Sequence, residues 1–392
     1  MTWQFNRIPQ IVFGMGARHQ LTDLLLSFGR SVLLITGAHS FDEQADAPLL
    51  LQEWQVAGIR IVREKVSGEP SPDWVDACVA RHATQAFDCV LAIGGGSALD
   101  AAKAVAGLLP VQHSVMDYLE GVGPERVYDA QALPFIAVPT TAGTGAEATK
   151  NAVLSRHGMD GFKKSFRHDS LMPRCAVVDP ELMLSLPASQ IAANGLDAIT
   201  QLIEGYTSTK ANRMTDALAL DGLRRGLPAL PRWVANPKDV DAASDMAYAA
   251  LLSGMVLAHA GLGAVHGMAA PLGAFFPAPH GAVCGILLSE TTRQNIVQLQ
   301  AQDSTSESLI RYADVGRLLL NDPTLSDAHA LTLLVEQLQN WQADFALPKL
   351  SYFGMTQADI PRVVANSRGN SMKTNPVYLN DVVLTEILGA CC

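Results

Sequence analysis

The chain has 392 residues, 48% of them hydrophobic, with six cysteines and a formal charge of −10 at pH 7. That length exceeds one ordinary core and predicts two domains. The cysteines (Cys78, Cys89, Cys175, Cys284, Cys391, Cys392) are scattered without a CxxC spacing, which excludes a disulfide framework and predicts a reducing, cytoplasmic setting; an acidic balance with no Lys/Arg cluster excludes nucleic acid as a partner.

The opening MTWQFNRIPQIVFGMG lacks a basic segment followed by a long apolar core, so no secretory signal is expected. Within it, IVFGMGA reads as a small strand and turn closing one edge of a sheet. From Ser31 to about Pro180, short apolar runs alternate with amphipathic segments: SVLLIT, a helix near 47–57, IRIVR, a helix near 73–84, DCVLAIGGGS, a helix over 98–109, PFIAVPTT and CAVVDP. Apolar runs that alternate with helices predict strands covered on both faces, hence a doubly wound α/β domain with a parallel sheet. After Pro187 the pattern turns helical, over 188–208, 214–227, 242–260, 309–320, 328–345, 357–365 and 380–388, with the polar tract 301–308 as an exposed loop. Pro180 and Pro187 bracket this switch, which predicts an α/β domain over 1–185 and an all-α domain over 186–392. The apolar run Met246–Phe276 is long enough to raise the question of a membrane, but its glycines, histidines and Pro271 fit a buried helix pair, and no membrane partner is expected. The terminal Cys391-Cys392 has neither a prenylation box nor a basic flank and reads as a frayed end.

Two loops carry chemistry in the first half. DCVLAIGGGSALDAAK runs strand, three glycines, Ser97, helix. Glycines let backbone N–H groups approach a phosphate, and a helix N-terminus adds free donors and a favourable dipole. The spacing is neither GxGxxG nor a P-loop, and a tight strand-to-helix turn capped by Ser97 explains the same residues. The second loop, FIAVPTTAGTGAEATKN, presents Thr140, Thr141 and Thr144 with two glycines at the end of a later strand. Two such loops at one carboxyl edge favour a dinucleotide.

In the second half, residues 258–288, AHAGLGAVHGMAAPLGAFFPAPHGAVCGILL, hold His266 and His280 in an almost uncharged segment. The Pro-Ala-Pro step should end one helix and begin another, and a loop between two buried helices brings both imidazoles to one point. Hydrogen-bonded core histidines and metal ligands are both compatible with that.

Taken together, GGGSALDAAK (94–103), PTTAGTGAEAT (139–149), DPELMLSLP (179–187), NGLDAITQLIE (194–204) and AGLGAVHGMAAPLGAFFPAPHG (260–281) resemble the iron-containing, or group III, alcohol dehydrogenases, which share a fold with glycerol dehydrogenases and dehydroquinate synthases. The resemblance runs nearly the whole chain. It implies hydride transfer between a small alcohol or aldehyde and a nicotinamide cofactor, in a cleft between the two domains of a homodimer. It places Gly95, Gly96, Ser97 and Asp100 at the pyrophosphate and ribose, and Thr140, Thr141, Thr144, Asn151 and Lys163 around the nicotinamide half. It makes Asp197, His266 and His280 ligands of Fe2+ or Zn2+, the ion polarising the substrate oxygen.

Four positions depart from the family pattern: Gln201 replaces a histidine one turn after the aspartate, Ala270 a second histidine of the HxMAH run, Cys284 a frequent asparagine, and His259 another asparagine. Three readings stay open. In the first, Asp197, His266 and His280 hold the metal with Gln201 or water completing the shell; in the second, the reductase is metal-independent; in the third, the protein is a degenerate dinucleotide binder or a non-redox lyase of the dehydroquinate synthase type. Family members that prefer NAD often carry an acid after the first strand; here Gly37 stands there, with Ser40 nearby, which points to NADP(H) over NAD(H) unless Gly37 is merely a turn residue. Cationic side chains within 163–168 and 367–373 are compatible with an acidic aldehyde or with plain surface charge.

Overall fold

The computed structural model describes residues 2–158 and 160–392. Its first half is built from β1 (Gln10–Phe13), α1 (Leu21–Phe28), β2 (Ser31–Gly37), α2 (Ala47–Val56), β3 (Arg60–Val66), α3 (Pro72–His82), β4 (Cys89–Gly94), α4 (Gly96–Leu108), β5 (Phe135–Pro139), β6 (Asn151–Arg156), β7 (Phe162–Arg167) and β8 (Cys175–Val178). Six strands form one parallel sheet in the order β1-β8-β5-β4-β2-β3. The central strands are buried at nearly every position, as continuous apolar runs require when helices cover both faces. One face packs against α3 and α4 through Val75, Val79, Leu99 and Val105. The other packs against α1 and α2 through Leu21, Leu25, Leu50 and Trp54. The expected small N-terminal strand is β1, at the sheet edge.

One element lay outside the sequence expectation. β6 and β7 form an antiparallel hairpin, Asn151 opposite Arg167. FKKSFR in β7 offers no continuous apolar run, because three cations interrupt it; its pairing with β6 and its packing on α8 (Ala264–Phe275, below) supply the order.

From Ala188 onward every described element is helical: α5 (Ala188–Thr207), α6 (Arg213–Ala235), α7 (Val240–Ala260), α8 (Ala264–Phe275), α9 (His280–Gln302), α10 (Glu307–Leu320), α11 (Asp327–Asp344), α12 (Ile360–Asn366), α13 (Asp381–Cys391) and short 3-10 turns. α6 begins with a reciprocal cap between Asn212 and Thr215 and runs eight residues past the expected end at 227, through Pro228 and Pro231. Proline removes a donor inside a helix, but Pro228 and Arg224, the residue whose carbonyl loses its partner, are exposed to water. α7 is long and apolar enough to cross a membrane by length and composition, yet 67% of its apolar window is buried inside the protein. The expected buried helix pair is α7 and α8.

The halves meet at a backbone contact. Gly145, with φ +60°, lies against Gly254 of α7 so closely that a Cβ on Gly254 would stand 2.1 Å from the Gly145 carbonyl oxygen. Neither position has room for a side chain.

Candidate active site

The sheet order reverses between β4 and β2, which opens a crevice outside their carboxyl ends, the usual ligand position in open α/β sheets. Gly37 ends β2 and Gly94 ends β4; a Cβ on Gly94 would come within 2.6 Å of Ala98 Cβ and 3.2 Å of the Gly37 nitrogen. The N-cap of α4 is Gly95, in extended conformation, not Ser97. No side chain caps this N-terminus; the Ala98 N–H turns back to the Gly95 carbonyl at 2.9 Å, and the N–H groups of Gly96 and Ser97 are the first-turn donors that face outward for an anion. The threonine loop closes over the glycine loop. Thr140 N–H donates to the Gly94 carbonyl at 2.9 Å, while Thr141 and Thr144 lie against Gly95 and Gly96. Gly37, Ser40, the glycine loop with Ser97, and the three threonines therefore share one corner of the sheet.

Asp100, Asn151 and Lys163 stand slightly apart from it. The Asp100 carboxylate is 3.5 Å from the ammonium of Lys103, which is fully buried. Lys103 donates to Thr149 Oγ1 at 2.8 Å and to the Asn151 carbonyl at 2.9 Å. Burial pushes the Asp100 carboxyl up to about 6 despite Lys103, and the buried Glu147 carboxyl up to about 7. Lys163, on β7, donates to Glu69 Oε1 at 2.5 Å, and Ser155 donates to the other Glu69 oxygen. The Lys163 side chain also lies beside Gly273 of α8, so this ion pair of the first half borders the seam with the second. Lys163 is already partnered by a carboxylate, which weakens its reading as a free cation for an acidic substrate.

In the helical half, Asp197 comes from the middle of α5, His266 from α8 and His280 from the first residue of α9. His266 Nε2 is 3.2 Å and His280 Nε2 3.8 Å from Asp197 Oδ1. Cys284, one helical turn beyond His280 and on the same face, joins them, and ligand atoms from all four residues lie within 4.8 Å of one another. Gln201 borders the cluster but does not point its carbonyl into it. Its Nε2 donates to Asp197 Oδ1 at 3.1 Å, and its Oε1 accepts from Ser253 Oγ at 2.8 Å. Ala270, also on α8, adds no titratable group, and His259 stacks on Phe5 with ring centroids 3.7 Å apart, a packing role.

The donor set suits a divalent ion. Burial opposes the charged form of Asp197, but His280, His266 and Gln201 hold its carboxyl down to about 2. Burial and the nearby Lys163 push His280 down to about 4, leaving a neutral imidazole whose Nε2 faces the cluster. His266 is oriented from behind. Glu204 Oε2 accepts from its Nδ1 at 2.6 Å, while Glu204 Oε1 accepts from the Val265 N–H at 2.7 Å. A carboxylate behind a ligating histidine fixes the ring and raises its basicity. Glu204 was not singled out from sequence, although it follows Asp197 by seven residues, two turns along the same face. Lys103 likewise follows Asp100 by three residues on α4; Glu69 and Ser253 carried no such spacing signal.

Residues 9–180 match the family model for iron-containing alcohol dehydrogenase, and residues 191–392 match the model for the C-terminal part of the Fe-containing alcohol dehydrogenase family. Long-chain-alcohol dehydrogenase 1 of Geobacillus thermodenitrificans (strain NG80-2) is 35% identical over 90% of this chain and 88% of its own length. Lactaldehyde reductase of Escherichia coli (strain K12) is 33% identical over 89% and 88%. Sulfoacetaldehyde reductase from Bifidobacterium kashiwanohense, solved in complex with NAD+, superposes with a TM-score of 0.84 at 26% identity, covering 100% of this chain and 99% of that one.

Proposed function

The chain belongs to the iron-containing alcohol dehydrogenase family, and from that premise we propose that it interconverts a small alcohol and its aldehyde in the cleft between two domains dividing near residue 185, with Asp197, His266 and His280 as metal ligands. The convergence of these three side chains from three helices carries the reading. A divalent ion bound there polarises the substrate oxygen and lowers the pKa of the alcohol.

The chain's own groups supply the rest. Asp197 contributes the one fixed negative charge of the trio, His280 a neutral nitrogen, and Glu204 holds the His266 ring in place. The uncapped first turn of α4, with Gly95, Gly96 and Ser97, holds the pyrophosphate, and Thr140, Thr141 and Thr144 line the path toward the nicotinamide. Asn151 and the Lys163–Glu69 pair border the nicotinamide end, where Lys163 lies beside α8. Asp100 acts through Lys103, behind the pyrophosphate loop.

For the cofactor we favour NADP(H) over NAD(H). No carboxylate stands at Gly37, and Arg63 and Lys65, on the strand beside it, meet Asp42 at 2.6 Å each. Two cations to one acid leave net positive charge at that corner, with Ser40 adjacent. The enzyme works in the cytoplasm as a homodimer on this reading.

Metal analysis of the purified protein and of Asp197→Ala tests the site. Near-stoichiometric metal that disappears in the variant, with kcat/KM for aldehyde reduction falling about 1000-fold, is the expected result. A wild-type protein that reduces aldehydes at full rate without metal would overturn it. Comparison of NADPH with NADH tests the cofactor, and equal or better kcat/KM with NADH would refute the use made of Gly37.

A further inference from the structure

We propose that Cys284 is the fourth donor to the metal, standing in for the imidazole absent at Gln201, and that the ion this chain holds is therefore zinc rather than iron. The inference rests on the reading of Asp197, His266 and His280 as ligands and adds to it a residue and a choice of metal.

The distances carry it. Around one tetrahedral zinc ion, two nitrogen or oxygen donors are about 3.4 Å apart, and a sulfur and a nitrogen donor about 3.6 Å, from ordinary bond lengths. Here Asp197 Oδ1 is 3.2 Å and 3.8 Å from the two imidazole nitrogens. Cys284 Sγ is 3.7 Å from His266 Nε2 and 3.8 Å from His280 Nε2. Four of the six donor pairs are thus spaced as for a shared centre, and all six lie within 4.8 Å. A buried cysteine that merely fills space turns its sulfur toward apolar neighbours; this one turns it toward two imidazoles and a carboxylate.

Gln201 is not placed to compete. Its amide nitrogen faces Asp197, and its carbonyl oxygen is held by Ser253. The substitution at 201 removes a donor from α5, and Cys284 on α9 returns the count to four. The exchange also changes the character of the site. A thiolate among the ligands favours zinc over ferrous iron.

Cobalt(II) reads the ligand set without recourse to turnover. The full chain is stripped of metal with a chelator and reloaded with Co2+. A near-ultraviolet sulfur-to-cobalt charge-transfer band is expected in the wild type and lost in Cys284→Ser, with the visible bands of bound cobalt retained. Zinc affinity of Cys284→Ser, by competition with a chromogenic chelator, should fall by more than the roughly 10- to 100-fold typical of losing a group outside the ligand set. Zinc-edge X-ray absorption of the wild type, which needs no variant, should show one sulfur neighbour. Bound metal without a sulfur signature, or a band that survives Cys284→Ser, overturns the role of Cys284 and leaves the three-ligand reading standing. Failure of the wild type to bind cobalt or zinc at all overturns both.

Discussion

The glycine-loop corner, proposed for the nucleotide, and the Asp197 cluster, proposed for the metal, are built from different materials. At the carboxyl edge of the sheet, the groups offered to a ligand are mostly peptide N–H groups, exposed by glycines and aimed by a helix N-terminus. In the helical half, the groups are side chains delivered one by one from α5, α8 and α9. A backbone site depends on conformation and tolerates many side-chain changes. A side-chain site depends on identity, so on the proposed reading Gln201 and Cys284 alter the donor set without disturbing the helices that carry them.

That contrast can be put under strain. The largest effect short of removing a ligand is expected from Glu204→Gln, which leaves the ligands in place but takes the carboxylate from behind His266. Metal affinity should drop roughly 10- to 100-fold, measured by chelator competition, and an unchanged affinity would mean that ligand identity alone makes the site. At the nucleotide corner the expectation inverts. Gly94→Ala adds one methyl group where Ala98 and Gly37 leave no room; it should cost about 1–3 kcal/mol of stability and weaken cofactor binding in a fluorescence titration. Ser97→Ala should cost no more than about one ordinary hydrogen bond, roughly fivefold in cofactor affinity. A larger loss for Ser97→Ala than for Gly94→Ala would break the comparison.

A pH-dependent effect concerns the buried charges behind the glycine loop. Burial raises the Glu147 carboxyl to about 7 from 4.5, so the folded state holds a proton that the unfolded chain releases. The stability linked to that proton is complete below pH 4.5 and is lost as pH rises through about 7. Between pH 5 and 8 the melting temperature of Glu147→Gln should therefore decline less than that of the wild type. Equal declines in the two proteins would show that Lys103 already keeps Glu147 ionised.

Legibility in the sequence followed the same division. The strands of the parallel sheet and both of its ligand-facing loops were readable, because apolar runs and glycine clusters are local signals. The pairing of His266 and His280 was legible from the Pro-Ala-Pro step between their helices, whereas Asp197 entered through the resemblance alone, since nothing local says that a third helix converges on them. The β6–β7 hairpin was not readable, because its cations mask the alternation of a strand. α6 ran past its expected end through two prolines: Arg224, opposite Pro228, is exposed, while Leu227, opposite Pro231, is buried, and the structure offers no account of the second. Cys284 appeared in the sequence only as a missing asparagine. Its proximity to two imidazoles is a fact of tertiary packing.

The glycine pair at the seam bears on the span between the glycine loop and Asp197, the two ends of the proposed site. Thr144 rests on Gly96 of the pyrophosphate loop, and the next residue, Gly145, touches Gly254 backbone to backbone. The residue before Gly254 is Ser253, which bonds Gln201, which bonds Asp197. From the glycine loop to Asp197 the path is two van der Waals contacts, one of a threonine side chain and one between peptide groups, and two hydrogen bonds. Hydride transfer requires the reacting atoms about 3–3.5 Å apart. One joint of that span, Gly145 on Gly254, is peptide against peptide and leaves no room for a side chain, while Gln201 serves as a strut between Ser253 and Asp197.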